Sequence, residues 1–275
     1  DQTLSVDTLD DDVAGFTIEE TDAATEVDEA GSTDTFTVVL DAEPTSDVVL
    51  TITSDDTGEA TVNNPLTFTP VNWDTPQTVT VTGADDDLVD GTITSTVTVA
   101  VDDVNSSDGF DSLIDQIVSV DTTDDDVAGF TIVELDGSTE VDEAGSTDTF
   151  TVVLDAQPTS DVVMSTASND TSEATTTNTL TFTPSNWDTP QTVTVTGIDD
   201  NIIDGTVTSS VVISIIDANS DDDFDAIADQ TVSVDTADND APGFTIEETD
   251  AATEVDESGS TDTFTVVLDA QPTSD

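Results

Sequence analysis

The stretch GFTIEETDAATEVDEAGSTDTFTVVLDAEPTSD, residues 15–47, occurs three times in this chain with few changes. The second copy begins at Gly129 and the third at Gly243, so the spacing is 114 residues each time (129 − 15 = 114 and 243 − 129 = 114). An internal repeat defines the structural unit before any other feature of a sequence does. A period of this length is too long for one turn of a solenoid and suits a small autonomous domain. The chain is therefore predicted to be a tandem array of such domains.

Both ends of the sequence carry parts of the same repeat. The opening DQTLSVDTLDDDVAG matches DQIVSVDTTDDDVAG at Asp115 and DQTVSVDTADNDAPG at Asp229. Residues 1–12 are therefore predicted to be the last strand of a preceding repeat, and residues 241–275 the first strands of a following one. Two complete repeats lie between them, at residues 13–126 and 127–240. We expect the chain to be an excerpt from a longer array.

The charge of the chain restricts its partners. It has 64 acidic residues and no Lys, Arg or His, which gives a formal net charge of −64 at pH 7. No side chain can neutralise a carboxylate, and self-repulsion on this scale opposes the compact state. Nucleic acid and anionic lipid are excluded as partners because nothing in the chain can neutralise their phosphates. Cysteine is absent, so disulfides and thiolate ligands are excluded too. The composition therefore predicts that the chain attracts cations.

Alternating apolar residues predict seven short strands in the first complete repeat. Their inward positions carry Phe, Val, Leu and Ile, while their outward positions are rich in Thr, which suits an exposed strand face. A high charge can also indicate disorder, but this alternation and a hydrophobic content of 34% favour units that fold in the presence of metal or high salt. We predict an all-β fold of tandem antiparallel immunoglobulin-like β-sandwiches, with about seven strands per 114-residue repeat. The strands, A to G, are GFTIEE, TDTFTVVLD, DVVLTIT, PLTFTP, QTVTVTG, TITSTVTVAV and QIVSVDT.

Four acidic segments of the repeat are predicted to meet. Because successive strands run in opposite directions, loops A–B, C–D and E–F and the exit after strand G should lie at one end of the sandwich. Two carboxylates about 4 Å apart repel by roughly 1 kcal/mol even at the dielectric constant of water. Oxygen ligands without nitrogen or sulfur select Ca²⁺ over zinc or copper, and Mg²⁺ fits less well because it requires a strict octahedron. The sequence therefore predicts a Ca²⁺ site here. Its carboxylates in the first repeat are Asp28, Glu29, Asp55, Asp56, Glu59, Asp85, Asp86, Asp87, Asp90, Asp124, Asp125 and Asp126.

Two further features have more than one interpretation. Each repeat has one tryptophan, Trp73 or Trp187, in the motif NWDTPQ. It is either an aromatic platform for a sugar or a plug of the sandwich; the plug is favoured because the chain has no tyrosine to extend a platform. The acidic F–G loop, which surrounds Phe110 in one repeat and Phe224 in the other, is either a second ion site or a solvated turn.

The order VDEAG, an acidic C–D loop, GADDDLVDG and VDTTDDDVAG resembles the Calx-β domain over the whole of each repeat. That family is known from sodium–calcium exchangers and from very large bacterial surface proteins. Two departures from it matter. The usual Gly-x-Asp-Tyr segment is replaced by GEATVNNPLTF, and Asn201 and Asn239 stand where the first repeat has Asp87 and Asp125, which predicts a less charged second site. The resemblance implies Ca²⁺ ligands at Glu29, Asp55, Asp56, Asp85, Asp86, Asp90, Asp124, Asp125, Asp126, Glu143, Asp170, Asp199, Asp200, Asp204, Asp238 and Asp240.

The same resemblance implies a non-catalytic, extracellular repeat, stiffened by Ca²⁺, in the stalk or filament of a large secreted surface adhesin. Its expected partners are neighbouring repeats of the same chain and other copies in a filament, without nucleic acid, membrane insertion or a small-molecule substrate. The alternatives are a carbohydrate-binding array and a Ca²⁺-sensing regulatory domain. Near-identity of the repeats favours the spacer, because a ligand-binding module needs no series of copies. No enzyme activity is expected, since only carboxylates could serve as acids and bases.

Overall fold

The computed structural model describes residues 2–7, 9, 11–22, 24–177 and 179–272. It divides into two compact units, residues 1–126 and 127–275. Within the described ranges the only helical segments are two 3-10 turns, Asp217–Asn219 and Asp222–Phe224. The predicted all-β class is therefore confirmed. A search of the same ranges finds no helix that is long and apolar enough to cross a membrane.

Unit 1 is a β-sandwich of two sheets. One sheet has the strand order β1-β3-β7-β5 and the other β2-β9-β8-β4-β6. Strand β2 pairs with β9 in parallel, whereas the other pairings are antiparallel. The strands are β1 (Phe16–Glu20), β2 (Thr25–Asp28), β3 (Thr33–Leu40), β4 (Val48–Ser54), β5 (Ala60–Val62), β6 (Leu66–Phe68), β7 (Gln77–Gly83), β8 (Ile93–Val101) and β9 (Gln116–Thr123).

The structure has nine strands in this repeat, against about seven predicted from the sequence. The two additional strands, β2 and β5, are four and three residues long and lie in the segments assigned to loops A–B and C–D. These strands carry too few large apolar residues to be recognised from the pattern, unlike the equally short β6 with Leu66 and Phe68. They matter for the site, because Glu29 directly follows β2 and Glu59 directly precedes β5.

The core lies between the two sheets and follows the predicted alternation. Along β3, Phe36 and Val38 are fully buried, while Thr35 and Thr37 face outward and are half-buried. The outward threonines pair across strands, Thr35 with Thr80 and Thr37 with Thr78, an arrangement that favours sheet pairing. Trp73 is half-buried and packs against this core, as the plug interpretation expects.

A close approach of the two sheets fixes the end of β2. A Cβ atom on Gly83, the last residue of β7, would collide with the backbone carbonyl of Asp28. The N–H of Gly83 also donates a hydrogen bond of 3.0 Å to the carbonyl of Ser32. Because only glycine leaves room for this contact, the residue that follows β2, Glu29, is held against the end of the opposite sheet.

Unit 2 contains a second sandwich with the same topology, with sheets β10-β12-β16-β14 and β11-β18-β17-β13-β15. Two further strands, β19 and β20, form a hairpin in which Phe244 pairs with Leu268, the register that joins Phe16 to Leu40 in unit 1. The strands are β10 (Phe130–Glu134), β11 (Thr139–Asp142), β12 (Thr147–Leu154), β13 (Val162–Ser168), β14 (Ala174–Thr176), β15 (Thr179–Phe182), β16 (Gln191–Gly197), β17 (Val207–Ile215), β18 (Gln230–Ala237), β19 (Phe244–Glu248) and β20 (Phe264–Leu268).

Candidate metal centre

Five carboxylates from separate parts of unit 1 form the centre. Glu29 follows β2, Glu59 precedes β5, Asp90 lies between β7 and β8, and two aspartates follow β9. The first group, Glu29, Asp124 and Asp126, offers three oxygens that all lie within 4.8 Å of one another. The second group, Glu29, Glu59 and Asp90, does the same. Glu29 belongs to both groups and therefore stands at the middle of the centre.

Two of these carboxylates are buried. Glu29 is 1% exposed and Glu59 is 6% exposed. The Oε2 atom of each has no hydrogen-bond partner within the described part of the chain, and neither has Oδ2 of Asp126. A buried ionised carboxylate is costly unless it is paired and hydrogen-bonded. Because no side chain of this protein carries a positive charge, only a proton or an external cation can neutralise these carboxylates.

The pKa values of the two buried carboxylates show the same lack of a positive charge. Burial, reinforced by the negative charges of Asp124 and Asp86, raises the pKa of Glu29 from 4.5 to about 7. Burial and the charge of Asp90 also raise the pKa of Glu59. These shifts arise because ionisation places like charges together away from water. Binding of a proton or a cation to these carboxylates is therefore favoured.

Asp124 connects two of the converging segments. Its Oδ2 atom accepts hydrogen bonds from the backbone N–H groups of Asp90 (3.0 Å) and Gly91 (2.9 Å). Its Oδ1 atom accepts from the N–H of Asp126 at 2.7 Å. Gly91 has a φ of +76°, a conformation that favours glycine. These bonds hold the segment before β8 against the segment after β9, so that their carboxylates face Glu29.

In unit 2 the corresponding centre has one group of three carboxylates, Glu143, Asp238 and Asp240, within the described residues. Glu143 is 1% exposed, and burial raises its pKa although a hydrogen bond from the N–H of Asn239 opposes the shift. Asp238 accepts from the N–H groups of Gly205 (2.9 Å) and Asp204 (3.0 Å), as Asp124 does in unit 1. Hydrogen bonds, first of all that from Gly205, lower the pKa of Asp238.

The C–D loop contributes a different residue from those that the resemblance implies. Asp55 and Asp56 are exposed and lie outside the groups of carboxylates described above. Oδ1 of Asp55 accepts from the N–H of Thr96 at 2.6 Å, and Oδ1 of Asp56 accepts from the N–H of Gly58 at 3.0 Å, so both fix the loop. Glu59 supplies the buried oxygen instead. No sequence pattern distinguishes Glu59 from Asp55 and Asp56, because its position depends on the short strand β5, which begins at the buried Ala60.

The remaining predicted residues surround the centre without joining a group in the described structure. Asp85, Asp86 and Asp125 are exposed, and their charges raise the pKa of Asp126 or of Glu29. In unit 2, Asp170 accepts from the N–H and hydroxyl of Ser172, and these bonds lower its pKa. The others outside the unit 2 group are Asp199, Asp200 and Asp204.

The acidic F–G loop of unit 2 contains a structural carboxylate. Asp221 is 3% exposed and accepts hydrogen bonds from the Thr159 hydroxyl (2.7 Å) and the Ser160 N–H (2.7 Å). Burial acts to raise its pKa, but these hydrogen bonds outweigh burial and lower it. At the corresponding position of unit 1, Ser107 lies 3.1 Å from the Thr45 hydroxyl. Asp221 therefore fixes the loop between β12 and β13.

No family model matches this chain, and no curated protein matches it either. Among solved structures, CBD12 from CALX1.2 is 16% identical, with 72% of this chain and 79% of that chain covered, at a TM-score of 0.30. Domains 4 and 5 of the S-layer protein SbsC are 16% identical over 82% of this chain and 99% of theirs, at a TM-score of 0.33. The apo form of the Calx CBD1 domain is 18% identical over 40% of this chain and 98% of its own, at a TM-score of 0.31. Likenesses at this level carry no argument about function.

Without divalent cations, the stability of unit 1 should fall as the pH rises from about 4.5 to about 7. The folded-state pKa of Glu29 is raised above its ordinary value, so its contribution to stability is complete below pH 4.5 and is lost as the pH passes about 7. In a Trp187→Phe background, thermal melting followed by Trp73 fluorescence reports this unit alone. Glu29→Gln should flatten the dependence. An increase in stability over the same interval would contradict the electrostatic description of the centre.

Proposed function

We propose that this chain is a non-catalytic structural repeat whose sandwiches are stabilised by Ca²⁺, and that it forms part of the stalk or filament of a large surface adhesin outside the cell. The observation that carries the proposal is the buried Glu29, which has an unpaired oxygen at the junction of two carboxylate groups. The chain contains no Lys, Arg or His that could pair with it.

The donor set fits Ca²⁺ better than other metals. Every side-chain donor in the centre of unit 1 is a carboxylate oxygen, without nitrogen or sulfur. Hard oxygen donors suit Ca²⁺ and Mg²⁺, and the irregular cluster suits the flexible coordination of Ca²⁺ better than the octahedron of Mg²⁺. A bound divalent cation would supply the positive charge that the protein lacks. The residues that would hold it are Glu29, Glu59, Asp90, Asp124 and Asp126.

Neutralising the centre would link segments that are far apart in sequence. Glu29 extends from the end of β2, Glu59 from the start of β5, and Asp124 and Asp126 from the segment after β9. Strands β2 and β9 belong to one sheet and β5 to the other. A cation bound between these carboxylates would replace their mutual repulsion by attraction to the ion. It would therefore hold the two sheets together at their acidic end.

The spacer role is favoured over the alternatives. The two complete repeats keep Glu29, Asp124 and Asp126 as Glu143, Asp238 and Asp240, as expected for copies that share one mechanical role. A carbohydrate-binding array would need an exposed aromatic platform, whereas Trp73 is half-buried against the core. A Ca²⁺-sensing domain would need a partner that it regulates, whereas a spacer needs none. Neighbouring repeats and other copies of the chain are the proposed partners. We place the protein outside the cell because Ca²⁺ is millimolar there and scarce in the cytosol.

Removing Ca²⁺ should lower the melting temperature of the chain. A ligand that binds only the folded form stabilises it by about 2.7 kcal/mol per site at a hundredfold excess over Kd. The measurement is calorimetric melting in EDTA and in millimolar Ca²⁺ at fixed ionic strength, with Mg²⁺ expected to restore only part of the loss. Glu29→Gln combined with Glu143→Gln should remove most of the Ca²⁺ effect. Asp74→Asn, which changes an exposed acid outside the centres, should leave it intact. Equal melting temperatures for the unaltered chain with and without Ca²⁺ would refute the proposal.

The stalk proposal predicts that Ca²⁺ changes the dimensions of the chain in solution. Only Val127, Ala128 and Gly129 separate Asp126 from β10, so fixing Asp126 should also restrict this linker. The longest strands, β8 and β17, have nine residues and at roughly 3.3 Å per residue span about 30 Å. Small-angle X-ray scattering should give a larger maximum dimension in Ca²⁺ than in EDTA, and Glu29→Gln should reduce the difference. Identical scattering curves would exclude stiffening by Ca²⁺, even if the melting temperature responds.

A further inference from the structure

The two units differ in how many carboxylate groups their centres contain. Unit 1 has two groups that share Glu29, and the second of them includes the buried Glu59. In the described part of unit 2, Glu143 forms only the group with Asp238 and Asp240. Glu173, the counterpart of Glu59, is 5% exposed and its Oε2 atom has no partner, yet it does not complete a group with Glu143.

Asn239 occupies the centre of unit 2 in a way that Asp125 cannot in unit 1. The two residues correspond across the repeat (125 + 114 = 239). The backbone N–H of Asn239 donates to Oε2 of Glu143 at 3.1 Å, whereas Oε2 of Glu29 has no partner. The side-chain amide of Asn239 also donates to Oδ1 of Asp199 at 3.3 Å. An ionised aspartate has no side-chain donor. The bond to Asp199 therefore requires an amide side chain, whereas the bond to Glu143 uses a backbone N–H group that Asp125 also has. In the described part of unit 1 the corresponding oxygen of Glu29 is nevertheless unpaired.

Three positions of the centre are Asp in unit 1 and Asn in unit 2, but they are not equivalent in effect. Asn169 replaces Asp55 and keeps its bond: Oδ1 of Asn169 accepts from the N–H of Ser210 at 2.8 Å, as Oδ1 of Asp55 accepts from that of Thr96. This exchange removes a charge and leaves the hydrogen bonding unchanged. Asn239, in contrast, brings hydrogen-bond donors into the cluster.

We infer that the two units take up different numbers of divalent cations: two in unit 1, bridged by Glu29, and one in unit 2. Asn239 sets this difference through its side chain: the bond to Asp199 holds residue 239 where its backbone N–H occupies an oxygen of Glu143 that a second cation would need. The inference rests on the proposed function and deepens it, since two nearly identical repeats would then respond to different ranges of cation concentration.

The number of tightly bound Ca²⁺ ions per chain tests this. Equilibrium dialysis at about 1 M NaCl, where the Debye length is about 3 Å, suppresses the diffuse ion atmosphere of so acidic a protein. We expect three ions, one for each carboxylate group. Glu29→Gln should remove two of them and Glu143→Gln one. Asn239→Asp should add one ion, and the reverse change, Asp125→Asn, should remove one. Asn169→Asp is the matched control: it adds the same charge and keeps the oxygen that accepts from the N–H of Ser210, and should leave the count unchanged.

Two results would overturn the inference while leaving the proposed function in place. One is an equal loss of ions in Glu29→Gln and Glu143→Gln. The other is an equal gain in Asn239→Asp and Asn169→Asp, which would show that charge alone sets the number. Absence of tight binding in the unaltered chain would instead refute the proposed function itself. Circular dichroism of each variant in Ca²⁺ should match that of the unaltered chain, which shows that the counts compare folded proteins.

Discussion

The carboxylate of Glu29 imposes the main constraint on unit 1. It is 1% exposed, one of its oxygens has no hydrogen-bond partner among the described residues, and its neighbours are other carboxylates. In most proteins an arginine or lysine would compensate such a group, but this chain has neither. The charge can be relieved by a proton, which the raised pKa of Glu29 reflects, or by a cation from outside. Under the proposed function, folding and ion binding are therefore coupled at this residue.

Residues from both sheets of the sandwich contribute to the acidic centre around Glu29. The apolar core holds β3, β4, β7 and β8 together without any contribution from charge. At the acidic end, the short strands β2 and β5 bring Glu29 and Glu59 inward, and the absence of a side chain at Gly83 allows the sheets to approach there. A unit without cations would keep its core while its acidic end is destabilised by repulsion. Ions would thus control stability at one end of each repeat.

Much of the fold could be predicted from the sequence, because alternation of apolar and polar residues is a direct consequence of strand geometry. The seven predicted strands and the all-β class follow from it. The strands β2 and β5 could not be predicted in this way, because TEVD has one large apolar residue and ATV only an alanine and a valine, whereas the equally short β6 carries Leu66 and Phe68. Convergence of the acidic loops follows from strand direction, and Asp90, Asp124 and Asp126 could be chosen on that basis. The importance of Glu59 over Asp55, in contrast, depends on β5. The structural role of Asp221 depends on its contact with Thr159, which lies 62 residues earlier in the chain.

The most direct test of the account is anomalous diffraction from crystals of the chain grown in Ca²⁺. The account predicts an anomalous peak in unit 1 at about 2.3–2.6 Å from an oxygen of Glu29, the range of Ca²⁺–oxygen distances in proteins. Density for Glu29 without a neighbouring peak, in crystals that hold Ca²⁺ elsewhere, would contradict it. The buried carboxylate would then be neutralised by a proton, and the stability of the repeat would not depend on Ca²⁺ at this centre.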